Sequence, residues 1–429
     1  MTRPAQAEAL DYVAYDLDRI LAVADAELQS GYGGSGAGRQ PAHTVYVPAH
    51  KFGSATVRQW GSQALAALEE FASGPQELAA ATGLAPAAAS EVYPLVLDKL
   101  TSQPVEDLRI DFEDGYGVRG DETEDSHARA AARSLAELLR EGSAPPFIGL
   151  RCKSLEKDTR HRCVRTLSAF LTTLLEYERP LPQRFVITLP KVTSAAQVSA
   201  MAMLCERLDR ALGIGPQQRL AFEIQVETPQ AILGADGEST IAKCVHAAPD
   251  RLIGLHFGTY DYSAALGIAA PYQSLDHPAA DYAKVVMQVA AAGTGVRLSD
   301  GSTNVLPVGT RDEVVAAWKL HSRLVRRSLE RGFYQGWDLH PAQLVSRYAA
   351  TYAFFREGLA AAAGRLRSCA ERSAAGQEEP ATIRALADFL SRAIECGAIE
   401  ENELSELTNL TDHQIRVARR RGVIPDREL

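Results

Sequence analysis

The feature that most constrains this chain is a repeat. A short apolar run, a polar turn and a helical stretch recur from residue 44 to residue 339. The apolar runs fall at 44–48, 107–112, 147–151, 185–190, 221–227, 252–257, a weak one at 296–299, and 335–339. Helical stretches at 122–141, 158–177, 194–212, 238–247, 278–292 and 311–331 separate most of them. Alternating strand–helix units imply a parallel sheet, because a helix must return the chain to the same edge. Eight such units predict a closed (β/α)8 TIM barrel of the α/β class. A doubly wound sheet is the alternative, but no GxGxxG follows the first strand.

The rest of the chain divides around this barrel. Leu10, Val13, Leu17, Ile20, Leu21 and Ala24 share one helical face, so 7–28 reads as an amphipathic helix. Gly31 to Gly38 (GYGGSGAG) follows, between a helix and a strand. A phosphate cradle needs the opposite order, so this segment reads as a flexible linker. The interval 51–101 is long and rich in Ala and Leu, and predicts a helical insertion after the first strand. Past Phe355 the barrel pattern stops. The expected organisation is a helix and linker over 1–40, a catalytic barrel over 41–355 and a C-terminal helical appendage over 356–429, broken at 375–380.

Composition narrows the function classes. The 429 residues carry a net charge of −9, with a pI near 5.7. Nucleic-acid binders are usually basic, so that class is disfavoured. The closing run of Arg416, Arg419, Arg420 and Arg421 reads as a solvated helix face rather than a DNA-reading one. None of the six cysteines forms a CxxC pair, so free thiols in a reducing compartment are expected. No basic segment leads into an apolar run at the N-terminus, and no stretch is apolar enough to span a membrane. The expected location is the cytoplasm, with no membrane and no nucleic-acid partner.

A barrel of this kind works at the C-terminal ends of its strands. Those ends are polar here: Asp111 to Asp114 after strand two, Arg151 and Lys153 after strand three, Lys191 after strand four, Glu227 after strand five, His256 to Tyr262 after strand six, and His340 after strand eight. On strand five, period-two alternation puts Phe222, Ile224 and Val226 on one face and Glu223, Gln225 and Glu227 on the other. The apolar face should meet the helices, leaving the carboxylates inside the barrel. Buried carboxylates need a cation or a paired base. Glu227 and Asp261 end adjacent strands and suit Mg²⁺, which takes one or two carboxylates with water and substrate completing an octahedron. Structural ion pairs are the other reading. Arg151 can grip a substrate carboxylate with its two-pronged guanidinium, or form a salt bridge with Glu113 or Asp114. His50, His256 and His340 sit at strand ends, as acids or bases near neutral pH or as structural donors. His127 lies in a polar helical stretch and reads as surface.

Five ordered segments resemble a known family. They are Tyr46-Val47-Pro48, Ile110 to Asp114, Leu189-Pro190-Lys191-Val192, the pair Val226-Glu227-Thr228 with Phe257 to Asp261, and Gly332 to Gly336 with Leu339 to Gln343. The set resembles the HpcH/HpaI aldolase and citrate lyase β-subunit family, in the phosphoenolpyruvate/pyruvate-binding barrel superfamily, over residues 44–350. The resemblance implies a metal-dependent carbon–carbon lyase or aldolase acting through the enolate of a 2-oxo acid such as pyruvate, oxaloacetate or glyoxylate. It implies Glu227 and Asp261 as ligands of Mg²⁺, with Mn²⁺ as a substitute. Arg151 would grip the oxo-acid carboxylate and steady the enolate, and Glu113 and Asp114 would hold water or substrate. Lys191 joins Arg151, Glu113 and Asp114 in the catalytic set. Lys153, His50, His256 and His340 join Arg151 in the substrate-binding set, with Lys153 placed to take an extra anionic group.

Two departures bear on substrate. No Asp-Gly lid motif follows Phe355, which weighs against a CoA thioester. The acidic, Leu-Pro-Lys, Val-Glu-Thr and Gly-Thr-Tyr-Asp-Tyr motifs are also similar to malate synthase, which condenses acetyl-CoA with an oxo acid. This chain is shorter and lacks that enzyme's accessory domains. The resemblance implies a homo-oligomer, a trimer or hexamer.

Overall fold

The computed structural model describes residues 3–34, 38–373 and 379–425. Eight strands form: β1 (His43–Pro48), β2 (Asp107–Asp111), β3 (Phe147–Arg151), β4 (Phe185–Leu189), β5 (Ala221–Val226), β6 (Leu252–Phe257), β7 (Arg297–Ser299) and β8 (Gly336–Asp338). All bonded neighbours are parallel, in the order β7-β6-β5-β4-β3-β2-β1-β8. The ring closes just past β7. There the Asp300 N–H donates to the Gln335 carbonyl at 2.8 Å, and the Trp337 N–H to the Gly301 carbonyl at 3.1 Å. The Gln40 amide spans the same seam, donating to the Leu298 carbonyl and to Gln335 Oε1.

The expected (β/α)8 architecture is therefore present, with helix bounds such as Asp121–Arg140 and Arg311–Glu330 close to those expected. The physical basis is the two-faced strand. Val45, Ile110, Leu150, Ile187, Ile224 and Leu255 point outward, are buried, and meet the helical ring. Burying each such side chain contributes roughly 1.5–3 kcal/mol.

The inward face is polar, as strand five suggested. Arg109 donates to Glu223 through Nε and Nη2, each at 3.0 Å, and bonds Asp107. Glu223 lies 3.0 Å from His256 Nε2, and the Trp337 indole donates to His256 Nδ1 at 3.2 Å. These charges are tolerated because each has a partner. They form the floor beneath the mouth.

The 51–101 interval is helical, over Thr56–Phe71, Pro75–Thr82 and Pro86–Ser102. Proline opens the second and third of these helices, where its missing N–H costs nothing. They pack on the long helix Gln343–Ser373, which runs unbroken through residue 355. The expected break at 375–380 lies largely outside the described residues. After it, helices Pro380–Cys396, Glu401–Thr408 and Asp412–Arg421 form. Arg419 from the basic run pairs with Asp388 and Glu395 inside this bundle.

The N-terminal helix spans Arg3–Tyr32, but Tyr12, Leu17, Ile20 and Leu28 on it are exposed. The glycine segment is not free at Gly34, which forms a parallel bridge with Thr294. Residues 35–37 of that segment lie outside the described residues. All six cysteines are buried. Among the described residues, no helix is long and apolar enough to cross a membrane.

Candidate active site

Asp111 closes β2 and Arg151 closes β3, and strand register sets them side by side. The Arg151 fork is taken by Asp111, with Nε donating to Oδ1 at 2.6 Å and Nη2 to Oδ2 at 2.8 Å. Asp111 also accepts the N–H groups of Glu113 and Gly115, both at 2.9 Å. A side chain at position 115 would press on Asp111, since a Cβ there would lie 2.7 Å from Oδ2. The guanidinium rests over the Tyr46 ring, 4.8 Å from its centre. Only Nη1 remains, 3.3 Å from Glu113 and 3.4 Å from Gln225 Oε1. The two-pronged grip expected for a substrate is thus spent on Asp111, a residue to which the sequence reading gave no role. Burial opposes the Arg151 charge, but Asp111 outweighs it and holds the guanidinium firmly protonated.

The second half of the site is built by Lys191. Its φ of 54° places it in the left-handed region, uncommon for a side-chain-bearing residue. That turn lets its N–H donate to Glu227 Oε1 at 2.7 Å while its side chain curls over the mouth. Lys191 Nζ then lies 2.5 Å from Asp261, 3.3 Å from Asp114, 3.8 Å from Glu227 and 3.9 Å from Glu113. Glu227 is 2% exposed. A Cβ at Gly258 would lie 2.4 Å from the Glu227 Cβ, so glycine is what makes room for this carboxylate.

The electrostatics follow from crowding. Burial pushes Glu227 up to about 8, and Asp261 and Glu113 add to it against the pull of Lys191. Burial likewise pushes Glu113 up to about 7, with Arg151 opposing and Asp114 reinforcing the shift. Burial also acts upward on Asp114, but Glu113, Arg151 and Lys191 outweigh it and lower its pKa. Lys191 is held well above the usual lysine range, since Glu227, Glu113 and Asp261 outweigh its burial.

The donor set suits a hard divalent cation. Four carboxylates surround one ammonium, and at the adjoining Arg151 two buried polar atoms lack partners among the described residues, Tyr46 Oη and Gln225 Nε2. Among the described residues, no three His, Cys, Asp or Glu side chains are already gathered as a metal cage. Mg²⁺ does not need one, because it binds through one or two carboxylates and keeps water and substrate ligands.

Of the residues singled out in the sequence, the fold therefore unites Arg151, Glu113, Asp114, Lys191, Glu227 and Asp261. It does not bring the others to them. His256 is locked between Glu223 and Trp337 in the barrel floor. Lys153 turns away and donates to the Phe112 and Gly117 carbonyls, bracing the loop after β2. His340 Nδ1 accepts the Ala342 N–H at the start of the long helix. His50 packs near Tyr116 and His127, with its Nδ1 buried and unpartnered. His127 is half-buried rather than a surface residue, because its Nδ1 lies 2.8 Å from the Tyr116 hydroxyl. Tyr46 and Gln225 were not singled out as site residues. Their inward strand positions were the available signal.

The chain is similar in structure to a citrate lyase from Burkholderia xenovorans LB400, with 21% identity and a TM-score of 0.56 over 86% of this chain and 96% of that one. Weaker likenesses are a citrate lyase β subunit from M. tuberculosis complexed with oxaloacetate and magnesium, and a Haloferax volcanii malate synthase in a pyruvate/acetyl-CoA ternary complex. The first is 17% identical, with a TM-score of 0.41 over 72% of this chain and 96% of that one. The second is 16% identical, with a TM-score of 0.41 over 57% of this chain and 61% of that one. None of the curated protein sequences matches. At 21% identity the likeness to the first of these speaks to fold alone, and the fold is the barrel. Residues 21–423 match the model of a family described as a domain of unknown function, DUF6986, and the chain belongs to that family.

Proposed function

We propose that the barrel mouth is the active site of an enzyme that makes or breaks a carbon–carbon bond next to a 2-oxo acid of the pyruvate, oxaloacetate or glyoxylate type. Glu227 and Asp261 would hold Mg²⁺ or Mn²⁺. The observation that carries this reading is the Lys191 ammonium, set among four carboxylates beside a buried arginine. When bound, the divalent cation supplies Lewis-acid stabilisation of negative charge developing on oxygen.

The chain's own residues do the remaining work. Asp111 fixes the angle of Arg151, so its Nη1 edge, which Asp111 leaves over, is preorganised to hold the oxo-acid carboxylate in place of Glu113 and Gln225. Gln225 Nε2 and Tyr46 Oη are buried donors beside that edge, without partners among the described residues. Glu113, titrating near pH 7, suits proton transfer at physiological pH. Lys191 neutralises the carboxylates in the metal-free chain and would yield this place to a divalent cation held by Glu227 and Asp261.

The test is calorimetry with Mg²⁺ or Mn²⁺, in the presence and absence of pyruvate, oxaloacetate and glyoxylate. Oxo-acid binding only when metal is present supports the assignment, and its absence with metal bound ends it. Thiol release from acetyl-CoA plus an oxo acid would assign the condensing direction. Oxo-acid release from a hydroxy-acid substrate would assign cleavage.

Lys191→Met is expected to tighten Mg²⁺ binding at least about fivefold. Removing one cation within 4 Å of the carboxylates lifts a repulsion of roughly 1 kcal/mol per unit charge even in water-like surroundings. Unchanged or weaker affinity in the titration would show that ammonium and metal do not compete.

A further inference from the structure

The opposite end of the barrel carries a second charged feature, of the other sign. Arg184 precedes β4, Arg219 precedes β5 and Arg297 opens β7. All three line a cavity of about 340 Å³, together with Gln183 and Gln218. No aspartate or glutamate lines it. Arg184 and Arg297 both pack on the Phe147 ring, at 4.7 and 5.8 Å from its centre. Two guanidiniums thus share one aromatic ring.

Arg297 is the informative residue. It pairs with Gly254, which pairs with Glu223, so its side chain belongs to the interior face of the barrel. It is half-buried, yet neither it nor Arg184 has a hydrogen-bond or carboxylate partner among the described residues. Arg219 pairs with Asp250, at 3.8 Å and well exposed. The other buried arginines behave differently. Arg109, Arg151 and Arg347 each bond a carboxylate. Burial pulls the Arg297 pKa down and Arg184 adds to this, and together they outweigh the opposite pull of Glu395 and Asp107, neither of which reaches the guanidinium as an ion pair. Three guanidinium-bearing residues thus line a hollow that no acidic side chain lines.

We propose that this cavity binds a compact oxyanion carrying two or more negative charges, gripped by Arg184, Arg219 and Arg297, at the end of the barrel remote from the carboxylate cluster. Guanidinium groups match phosphate and carboxylate oxygens in forked geometry. Three of them leave a monoanion overmatched, which selects for multivalent ligands. The volume is at the small end of ligand pockets, which selects for compact ones. Phosphoryl and polycarboxylate compounds share this chemistry.

The test uses the full chain in metal-free buffer at constant ionic strength, titrated with pyrophosphate and, separately, citrate. Thermal melting and calorimetry are the readouts. Saturable binding with a raised Tm is expected for at least one of them, and the tighter ligand identifies the phosphoryl or polycarboxylate class. Arg297→Gln is expected to raise Tm without anion, by relieving the unpaired charge, and to weaken binding at least about tenfold. The exposed Arg184→Gln should weaken binding without unfolding the chain. Absence of saturable binding by both anions, or equal affinity in wild type and both variants, would overturn the proposal.

Discussion

Arg151→Ala is expected to lower kcat/KM by about 10²–10³-fold, the scale of losing one preorganised donor to developing negative charge. It is also expected to cost roughly 3–5 kcal/mol of stability, because a buried carboxylate is left behind. Asp111 is 1% exposed, and its fork partner would be gone while its two backbone donors remained. The two effects can be separated. Arg151→Met combined with Asp111→Asn removes the uncompensated charge, so it should recover much of the Tm and none of the activity. Arg151→Lys keeps a charge but cannot meet both Asp111 oxygens, so it should stay folded and remain slow. Near wild-type turnover in the folded double variant would reduce Arg151 to a structural brace.

Glu227→Gln should abolish measurable Mg²⁺ binding, and activity with it. It keeps the shape of the side chain but removes the charge held deepest in the site. The pH dependence gives a second readout. Glu227 is pushed up to about 8 in the folded chain, mainly by burial, against about 4.3 for an unperturbed glutamate. Between those values the folded protein holds a proton that the unfolded chain has lost. Its stabilising contribution is complete below the lower value and disappears as pH rises through the upper one. Metal must displace that proton. Affinity should therefore rise with pH up to about 8, with proton release on binding measured from calorimetry in buffers of different ionisation enthalpy. Glu227→Gln should show no such release. A wild-type affinity that does not change from pH 6 to 8 would contradict the shift.

How legible all this was in the sequence depends on the range of the interaction involved. The strand and helix periods are local, and they placed all eight strands, including the weak β7, within a few residues. Alternation on β5 was enough to send Glu223, Gln225 and Glu227 inward and Ile224 outward. The limits appear where two distant segments must be aligned. Asp111 and Arg151 meet through strand register across 40 residues of chain, so nothing local shows that the arginine fork is already taken. A register irregularity between Phe222 and Glu223 puts Gln225 opposite His256 and leaves that histidine to the floor network. Lys191 looked like one more strand-end charge. Its left-handed turn, which no side-chain preference announces, puts its ammonium among four carboxylates.

By itself the sequence determined the architecture and the candidate carboxylates, because backbone period and side-chain polarity act over a few residues. Only the tertiary structure decided which charge faces which. Partner choice inside a barrel is set by register and burial across the whole ring, where an unpaired charge costs several kcal/mol and neighbours must satisfy one another together.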